Sequence, residues 1–354
     1  MSRLDELLGR PVSMRSLALL RVLAGAVVLL HLRQFLDASL DGHTYQDVFH
    51  EPYAAWYPEL PEALYIGLLW LGAAAAVAMS IGLLTRLATA TTLAVVAYNV
   101  FLSTTHFHNN RAYLVIALGV LALAPCGREL SVDAWIRRRR GLPPLDPSAP
   151  AWPLWLLRFE CAAVYGASGL SKLLDPDWFG GTVTWQRVER ARDELGGWPD
   201  WIVSLLTDRD LHTGAAKLIV LTELFIAVGL WSRRTRYAAV WVAVVFHVSI
   251  EGSAAVQVFS LLAISVLLVW AVPSTRDRVL RVPAGRLATV VRGLDWLARF
   301  RVEPAGSIEV VDRDGTVLRG APAVALVLSR LPLTAWFALP ALLLPGVRRA
   351  RSDE

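Results

Sequence analysis

The chain has 354 residues, of which 55% are hydrophobic and 18% charged, and its formal net charge is +5. Its mean hydropathy is +0.47, and apolar runs long enough to cross a bilayer recur along it. These properties indicate a polytopic, all-α membrane protein. They argue against nucleic-acid binding, because the arginines fall between the apolar runs, where membrane topology accounts for them.

Eight membrane spans are predicted. In chain order they cover residues 16–36, 64–84, 87–105, 112–126, 153–173, 214–231, 237–251 and 254–272. The first run carries Arg21 and no small-residue cleavage site follows it, so we expect a retained helix rather than a signal peptide.

The basic residues predict the orientation, because they stay preferentially on the cytoplasmic side of a membrane. Arg3, Arg10 and Arg15 place the amino terminus inside. Residues 37–63 include acids but no arginine or lysine, so we expect them outside, whereas the run 137–140 marks a cytoplasmic loop. With eight spans both termini are cytoplasmic, and the predicted location is the cell membrane.

The histidines are all placed away from the cytoplasmic side by this topology. His247 lies within the seventh predicted span, and the other six lie in outer loops or at outer helix ends. These six are His31, His43, His50, His106, His108 and His212. Since histidine is suited to proton transfer near neutral pH, this distribution indicates an outward-facing site.

The turn between the third and fourth spans is the most polar of these regions, with His106, His108, Asn109, Asn110 and Arg111. Unsatisfied polar groups between apolar helices are costly, so these need partners, water or a ligand. A polar helix cap is the alternative interpretation. The two histidines do not share a helical face and no third ligand accompanies them, so no metal site is predicted.

Lys172 ends the fifth predicted span, and Lys217 is the only other lysine among 35 basic residues. A buried lysine can lose its proton near pH 7, whereas arginine cannot, so Lys172 is the leading candidate for a catalytic base. The alternative is that its ammonium snorkels to the membrane surface. Tyr165 lies two helical turns earlier on the same face, which can hold a quinol head group.

Other ionisable residues also lie at membrane depth, where they mark either internal salt bridges or a proton path. We expect Arg158 to pair with Glu160 or Glu223. The outer segment 175–213 carries four tryptophans among mixed charges, which is typical of an amphipathic lid lying at the membrane interface. Contact of these tryptophans with a substrate is the alternative.

The tail from residue 276 has a different pattern. Residues 307–311, an Asp314-Gly315 turn and residues 316–318 predict a β-hairpin, and a helix is predicted over 321–331. The apolar run 331–347 is interrupted by prolines, which favours a packed or interfacial segment over a ninth span. Cys126 and Cys161 are predicted to be buried rather than joined in a disulfide.

Three stretches of the sequence carry a resemblance to a known family. They resemble the signature helix, the polar turn and the segment after the fourth helix of the vitamin K-dependent γ-carboxylase superfamily, whose bacterial members are HTTM domain proteins. The matching residues are Leu156-Leu157-Arg158, Val164-Tyr165, Gly169, Lys172-Leu173, Asp177-Trp178, Asn109-Asn110-Arg111-Ala112-Tyr113-Leu114, Ala124-Pro125-Cys126-Gly127-Arg128 and Ser131-Val132-Asp133-Ala134. The resemblance covers about residues 15–275, and we expect residues 1–275 to form a transmembrane domain and residues 276–354 a cytoplasmic tail.

The resemblance implies a quinol chemistry. In that family a lysine amine deprotonates reduced vitamin K, oxygen adds, and the strong base so formed takes a γ-proton from a peptide glutamate before carbon dioxide attacks. Lys172 aligns with that lysine, and reduced vitamin K or menaquinol is the implied cofactor. We expect Asn109, Asn110, Arg111, Tyr165 and His247 to bind it or its oxygen.

The polar turn departs from the family pattern, because Arg111 stands where the family has a functional histidine. Arg111 cannot act as a base but can hold bicarbonate, a carboxylate or an oxyanion. His106 or His108 is then expected to substitute. The chain also lacks the large extracytoplasmic domain of animal carboxylases, so the partners expected are the bilayer and a secreted or membrane peptide.

The tail, 276–354, resembles the carboxyl-terminal half of DCC-type thiol-disulfide oxidoreductases. The Asp-x-x-Cys-x-x-Cys element of those proteins is absent, so we predict no thiol redox activity there. Phosphate-loop, nucleophile-elbow and zinc-finger patterns are also absent. The alternative to a quinol-dependent carboxylase is a non-catalytic accessory, immunity or lipid-interaction protein, and a transporter is the third possibility.

Overall fold

The computed structural model describes residues 2–41, 51–104, 108–190, 192, 197–254, 258–271, 276–335 and 338. Most of the described chain is helical, and a small sheet region lies at its carboxyl-terminal end. The chain divides into two compact units. The first unit consists of residues 1–157 and 256–354, the second of residues 158–255, and each is described by itself.

The helices are, in chain order, α1 (Arg3–Gly9), α2 (Arg15–Leu40), α3 (Glu62–Ile81), α4 (Thr85–Leu102), α5 (Asn109–Leu123), α6 (Val132–Arg139), α7 (Trp152–Leu174), α8 (Pro176–Phe179), α9 (Thr182–Arg190), α10 (Asp200–Leu206), α11 (Arg209–Gly229), α12 (Arg236–Ala254), α13 (Val258–Val266), α14 (Arg286–Leu294) and α15 (Ala321–Arg330). A 3-10 turn, Leu267–Trp270, extends α13. The strands are β1 (Pro11–Ser13), β2 (Ser148–Pro150), β3 (Arg278–Val282), β4 (Phe300–Pro304), β5 (Glu309–Val311) and β6 (Val317–Arg319).

Four helices of the described chain, α2, α3, α4 and α11, are long and apolar enough to cross a membrane. The protein is therefore a membrane protein. Each of the eight predicted spans overlaps a helix, because long apolar runs have no way to satisfy their backbone in a bilayer except as helices. The number of eight spans stays a prediction, as do the cytoplasmic termini.

Helices α2, α3, α4 and α5 pack in sequence order, and small residues let their backbones approach closely. A Cβ atom on Gly25 of α2 would lie 2.0 Å from Ser80 Oγ of α3. A Cβ atom on Gly72 of α3 would lie 2.7 Å from a methyl carbon of Val95 on α4. These contacts require glycine at both positions.

The end of the α3–α4 hairpin is held by two charged side chains. Arg21, which is fully buried in α2, donates to the carbonyl of Met79 at 2.7 Å and to that of Leu130 at 2.5 Å. It thereby adds a second donor to the Met79 carbonyl, which also accepts from the backbone N–H of Gly82 at 3.1 Å. Asp133 accepts from the backbone N–H groups of Leu84 and Thr85, at 2.9 and 2.8 Å, and so caps the start of α4.

The carboxyl-terminal sheet has the strand order β4-β3-β5-β6. The predicted hairpin is confirmed as β5 and β6, which pair antiparallel around Gly315 at φ +83°. In its turn, the backbone and side chain of Thr316 donate to Asp314 and lower the pKa of that carboxyl. The predicted helix is confirmed as α15.

Strands β3 and β4 were not predicted from the sequence. They are parallel and are joined by α14, which makes a βαβ crossover. A short antiparallel pair of β1 and β2 was not predicted either. The sheet packs α14 and α15 around a core that includes Leu280, Phe300, Val310 and Leu326. Most of the apolar run 331–347 lies outside the described residues.

We expect Asp312→Asn to destabilise this sheet. Arg278 Nε and Asp312 Oδ1 are 2.8 Å apart, and their side chains are 1% and 5% exposed. Removing one charge of such a buried pair leaves the other without compensation, at a cost of about 3–5 kcal/mol. Hydrogen exchange of the β3 and β5 amides should accelerate accordingly. Glu303→Gln breaks the exposed pair with Arg301 and should change exchange little; equal effects of the two substitutions would contradict the expectation.

Candidate functional site

The second unit contains a polar stripe along α7. Residues Arg158, Cys161, Tyr165, Ser168 and Lys172 follow one another at spacings of three and four, so they lie on one face of the helix. Arg158, Cys161 and Tyr165 are buried. The helix ends at Leu174 because Pro176 follows, and Asp175 caps the short helix α8 with its side chain. Lys172 therefore lies in the last turn of α7.

The amine of Lys172 is enclosed by Ser168 and by Glu223 of α11. Its Nζ atom lies 2.8 Å from both carboxylate oxygens of Glu223 and 2.5 Å from Ser168 Oγ. The Ser168 hydroxyl also donates to Glu223 Oε1 at 2.9 Å. The lysine side chain is 17% exposed and that of Glu223 6%. An ammonium has three N–H donors, and this arrangement uses all of them.

This arrangement corrects one expectation from the sequence. Arg158 was expected to pair with Glu160 or Glu223, but Glu223 accepts hydrogen bonds from Lys172 and Ser168 instead. Neither carboxylate oxygen of Glu160 has a hydrogen-bond partner in the described part of the chain. Charge alone does not identify the partner of a buried acid, because the choice depends on which helix faces it.

Tyr165 and His247, both predicted to bind the cofactor, are brought together. Tyr165 Oη lies 2.6 Å from His247 Nε2, and their rings are 5.7 Å apart between centroids. His247, on α12, is fully buried and Tyr165 is 5% exposed. The two side chains form a buried hydrogen bond, and Tyr165 lies one helical turn before Ser168; which of the two atoms donates depends on the tautomer of His247.

An aromatic side chain covers the charged end of the stripe. Lys172 Nζ lies 5.1 Å from the centroid of the Trp178 ring, and Arg187 Cζ lies 5.9 Å from the same ring. Both are cation–π distances. The segment that carries Trp178 is attached to α11, since Thr213 Oγ1 donates to the carbonyl of Gly180 at 2.9 Å. Trp178 therefore limits access of water to Lys172.

The rest of the predicted lid, up to residue 213, contains the helices α9 and α10. The indole N–H of Trp185 in α9 donates to the carbonyl of Thr207, directly after α10, at 3.0 Å. This hydrogen bond links α9 to the end of α10. Trp198 and Trp201 are more than half exposed. Their exposure fits a position at a membrane interface, where indole rings are favoured.

In the first unit, the described part of the polar turn, from His108 onward, forms the start of α5. His108 is the N-cap, and its Nδ1 accepts from the backbone N–H of Asn110 at 3.3 Å. Asn109, Asn110 and Arg111 form the first helical turn. This supports the polar-cap interpretation for His108, whose Nε2 is not used by the cap. His106, also predicted as catalytic, lies outside the described residues, as do His43 and His50.

Arg111 lies against a buried aromatic group. Its guanidinium carbon is 5.0 Å from the centroid of the Phe35 ring. The His31 ring also packs edge-on against Phe35, with 5.2 Å between the ring centroids. His31 is 1% exposed, and its Nε2 has no hydrogen-bond partner among the described residues. Such an orphaned buried nitrogen is uncommon and calls for water or a ligand.

Two residues of the first unit were missed by the sequence reasoning. Tyr65 of α3 donates to Asn99 Oδ1 of α4 at 2.5 Å, and both side chains are buried. Asn99 in turn donates to the carbonyl of Val95 at 3.0 Å. Asn99 is the only asparagine outside the polar turn, and its position inside an apolar run was the available signal.

The predicted site residues thus fall into two groups. Lys172, Tyr165 and His247 are in the second unit, and His108 and residues 109–111 are in the first. Within the described ranges, no cluster of three or more His, Cys, Asp or Glu side chains is arranged to hold a metal ion. Cys126 and Cys161 are not joined in a disulfide, and their predicted burial is confirmed.

In a comparison with known protein families, residues 9–274, more than half of the chain, match the family described as HTTM domain. A search of curated proteins and a search of solved structures found no match. The HTTM domain fits a vitamin K-dependent carboxylase-like family. The chain therefore belongs to the HTTM domain family.

Proposed function

We propose that this protein is a quinol-dependent carboxylase of the vitamin K-dependent γ-carboxylase type, with Lys172 as its base. The observation that carries the proposal is the enclosed amine of Lys172, which shares hydrogen bonds with Glu223 and Ser168 one turn from the Tyr165–His247 pair. A membrane protein rarely keeps so many ionisable groups together at depth without a functional reason.

The donor set of the second unit fits a quinol head group. A quinol hydroxyl needs a base and hydrogen-bonding partners in apolar surroundings, and Lys172, Tyr165 and His247 are of these types. A bound reduced vitamin K or menaquinol supplies the electrons that reduce oxygen, with carbon dioxide as the second co-substrate. We assign Tyr165 and His247 to orient that group and Lys172 to exchange a proton with it.

Glu223 gives the lysine a way to become neutral. When the amine proton moves along the 2.8 Å hydrogen bond to Glu223, the ion pair becomes a neutral pair, and the lone pair of Lys172 Nζ becomes free once the protonated carboxyl turns away from it. Ser168 bonds to both partners and holds the amine in place. Lys172 can then accept a proton from a bound hydroxyl.

The polar start of α5 is assigned to the carboxylate side of the reaction. Arg111 stands where the family has a histidine, and its guanidinium can hold bicarbonate, a peptide carboxylate or an oxyanion. His106 or His108 is proposed to take over acid–base work, with Asn109 and Asn110 as hydrogen-bonding residues. The expected substrate is a secreted or membrane peptide.

The proposal includes eight spans with both termini in the cytoplasm, so that the outer helix ends carry the site. It also includes a degenerate DCC-like tail from residue 276. The β5–β6 hairpin followed by α15 supports this part, since the resemblance lies in that order of elements. The absence of cysteine from the tail argues for a structural role there.

The test is quinol-dependent oxygen consumption by the purified protein in lipid, with reduced vitamin K and with menaquinol. Lys172→Ala and Lys172→Arg should each lower the rate by about 100-fold or more, the usual contribution of a positioned base. Lys217→Arg is the matched control, because Lys217 lies on α11 against Phe179 and should keep its activity. Full activity of Lys172→Arg would show that only a positive charge is needed and would overturn the proposal.

A non-catalytic interaction protein is the second candidate. The observation in its favour is that all three donors of the Lys172 ammonium are used within the protein, as a structural anchor would require. Under this alternative the wild-type protein neither consumes oxygen nor binds a quinone, and Lys172→Arg folds and behaves as the wild type does.

A further inference from the structure

A cavity of about 580 Å³ opens in the first unit where the α3–α4 hairpin meets the segment after α5. Helices α3 and α4 are both long and apolar enough to cross a membrane, and the cavity is at the end where α3 stops and α4 begins. It therefore lies at the level where a membrane span meets the lipid head groups. Arg86 of α4 and Arg128 of the following segment line it, together with apolar side chains.

The side chains that line the cavity carry more positive than negative charge. Asp133 is the acid in the lining, and its carboxylate already accepts from the backbone N–H groups of Leu84 and Thr85 and from the Thr85 hydroxyl. Arg128 Nη1 is bound to the carbonyls of Asp146 and Ser148, at 3.1 and 2.5 Å, which fixes its guanidinium at the cavity. Two guanidinium groups remain to attract an anion.

Apolar side chains beside these arginines are exposed. Leu84 is 62% exposed, Leu87 64% and Leu145 44%. Leucines that are open to this extent beside guanidinium groups fit the boundary between acyl chains and head groups, not bulk water. The nearby helix α6 adds Trp135, which is 51% exposed and lies 5.2 Å from Arg139. Tryptophan beside arginine is typical of a membrane interface.

We propose that this cavity binds an anionic phospholipid. Its phosphate is held between Arg86 and Arg128, and its acyl chains lie along Leu84 and Leu87. The run 137–140, which begins in the last turn of α6, adds further positive charge for the head group. Basic pockets at the ends of membrane helices favour anionic lipid in this way. The inference is independent of the proposed enzymatic function.

The test compares lipid retention by the purified protein with phosphatidylglycerol and phosphatidylcholine of identical acyl chains, measured by native mass spectrometry from mixed nanodiscs. The wild type should retain phosphatidylglycerol preferentially. Arg86→Gln should lower that preference about fivefold. The double variant Arg86→Gln/Arg128→Gln should lower it by a further factor of about five, because each arginine contributes about equally. Arg233→Gln with Arg234→Gln, which removes two exposed charges from the turn before α12, is the matched control and should retain the preference.

Three outcomes would overturn the inference. The first is a wild type that shows no preference for phosphatidylglycerol over phosphatidylcholine. The second is a control variant that loses as much of this preference as the cavity variant does. The third is displacement of the lipid by inorganic phosphate at equal concentration, which would mark a free-phosphate site. Arg128 also bonds to backbone carbonyls, so the double variant can fail to fold. Arg86→Gln alone then decides, because Arg86 is exposed at the surface of α4.

Discussion

Lys172→Met is expected to destabilise the second unit strongly, while the double variant Lys172→Met/Glu223→Met recovers most of the loss. The single substitution leaves the Glu223 carboxylate buried, 6% exposed, without its cation. That costs about 3–5 kcal/mol, whereas replacing both charges by apolar side chains of similar volume is nearly neutral or stabilising. Chemical unfolding in detergent micelles measures the free energies of the wild type, Lys172→Met, Glu223→Met and the double variant, and these four proteins form a double-mutant cycle.

The same cycle separates stability from chemistry. If Lys172 is a base, the double variant regains its stability but consumes no oxygen with a quinol. If Lys172 only anchors the helix of an enzyme that consumes oxygen, the double variant regains both its stability and its oxygen consumption. The matched control is Glu189→Gln, which breaks the exposed pair of Glu189 and Arg192 and should cost less than about 1 kcal/mol. A loss of that small size for Lys172→Met would contradict the buried ion pair.

Gly82→Ala should cost about 2–5 kcal/mol in the free energy of unfolding, from left-handed strain and overpacking together. Gly82 follows α3 at φ +72°, a conformation that a side chain disfavours. Its Cβ would also lie 2.2 Å from Arg21 Nη1 and 2.4 Å from Ser131 Cβ. To make room, Arg21 would have to release the Met79 carbonyl that it caps.

Gly67→Ala is the control for that substitution. Gly67 lies within α3, and no atom comes within 4 Å of the Cβ it would gain. Alanine there should be neutral or stabilise by up to about 1 kcal/mol, because glycine is the poorer helix former. Thermal unfolding of the two variants side by side measures the difference. Equal melting temperatures would show that Arg21 does not constrain this turn.

The positions of the membrane helices could be predicted because each helix is determined by one continuous stretch of the sequence. An apolar run of sufficient length has one stable backbone conformation in lipid, so composition alone locates the helix. The β5–β6 hairpin is local in the same sense, since Asp314 and Gly315 specify its turn. The parallel pair of β3 and β4 could not be predicted, because its partners meet only after the chain has passed through α14.

In the candidate site, too, features within one segment could be predicted, whereas contacts between distant segments could not. The helical repeat of a single sequence segment placed Tyr165 and Lys172 on one face of α7, and the use of lysine in a chain that otherwise favours arginine singled out Lys172. Glu223 is 51 residues from Lys172, and His247 is 82 from Tyr165. Whether those groups meet depends on how α7, α11 and α12 pack. Helix rotation and contact are set by side chains distant in sequence, so only the tertiary structure decided the ion pair and the tyrosine–histidine hydrogen bond.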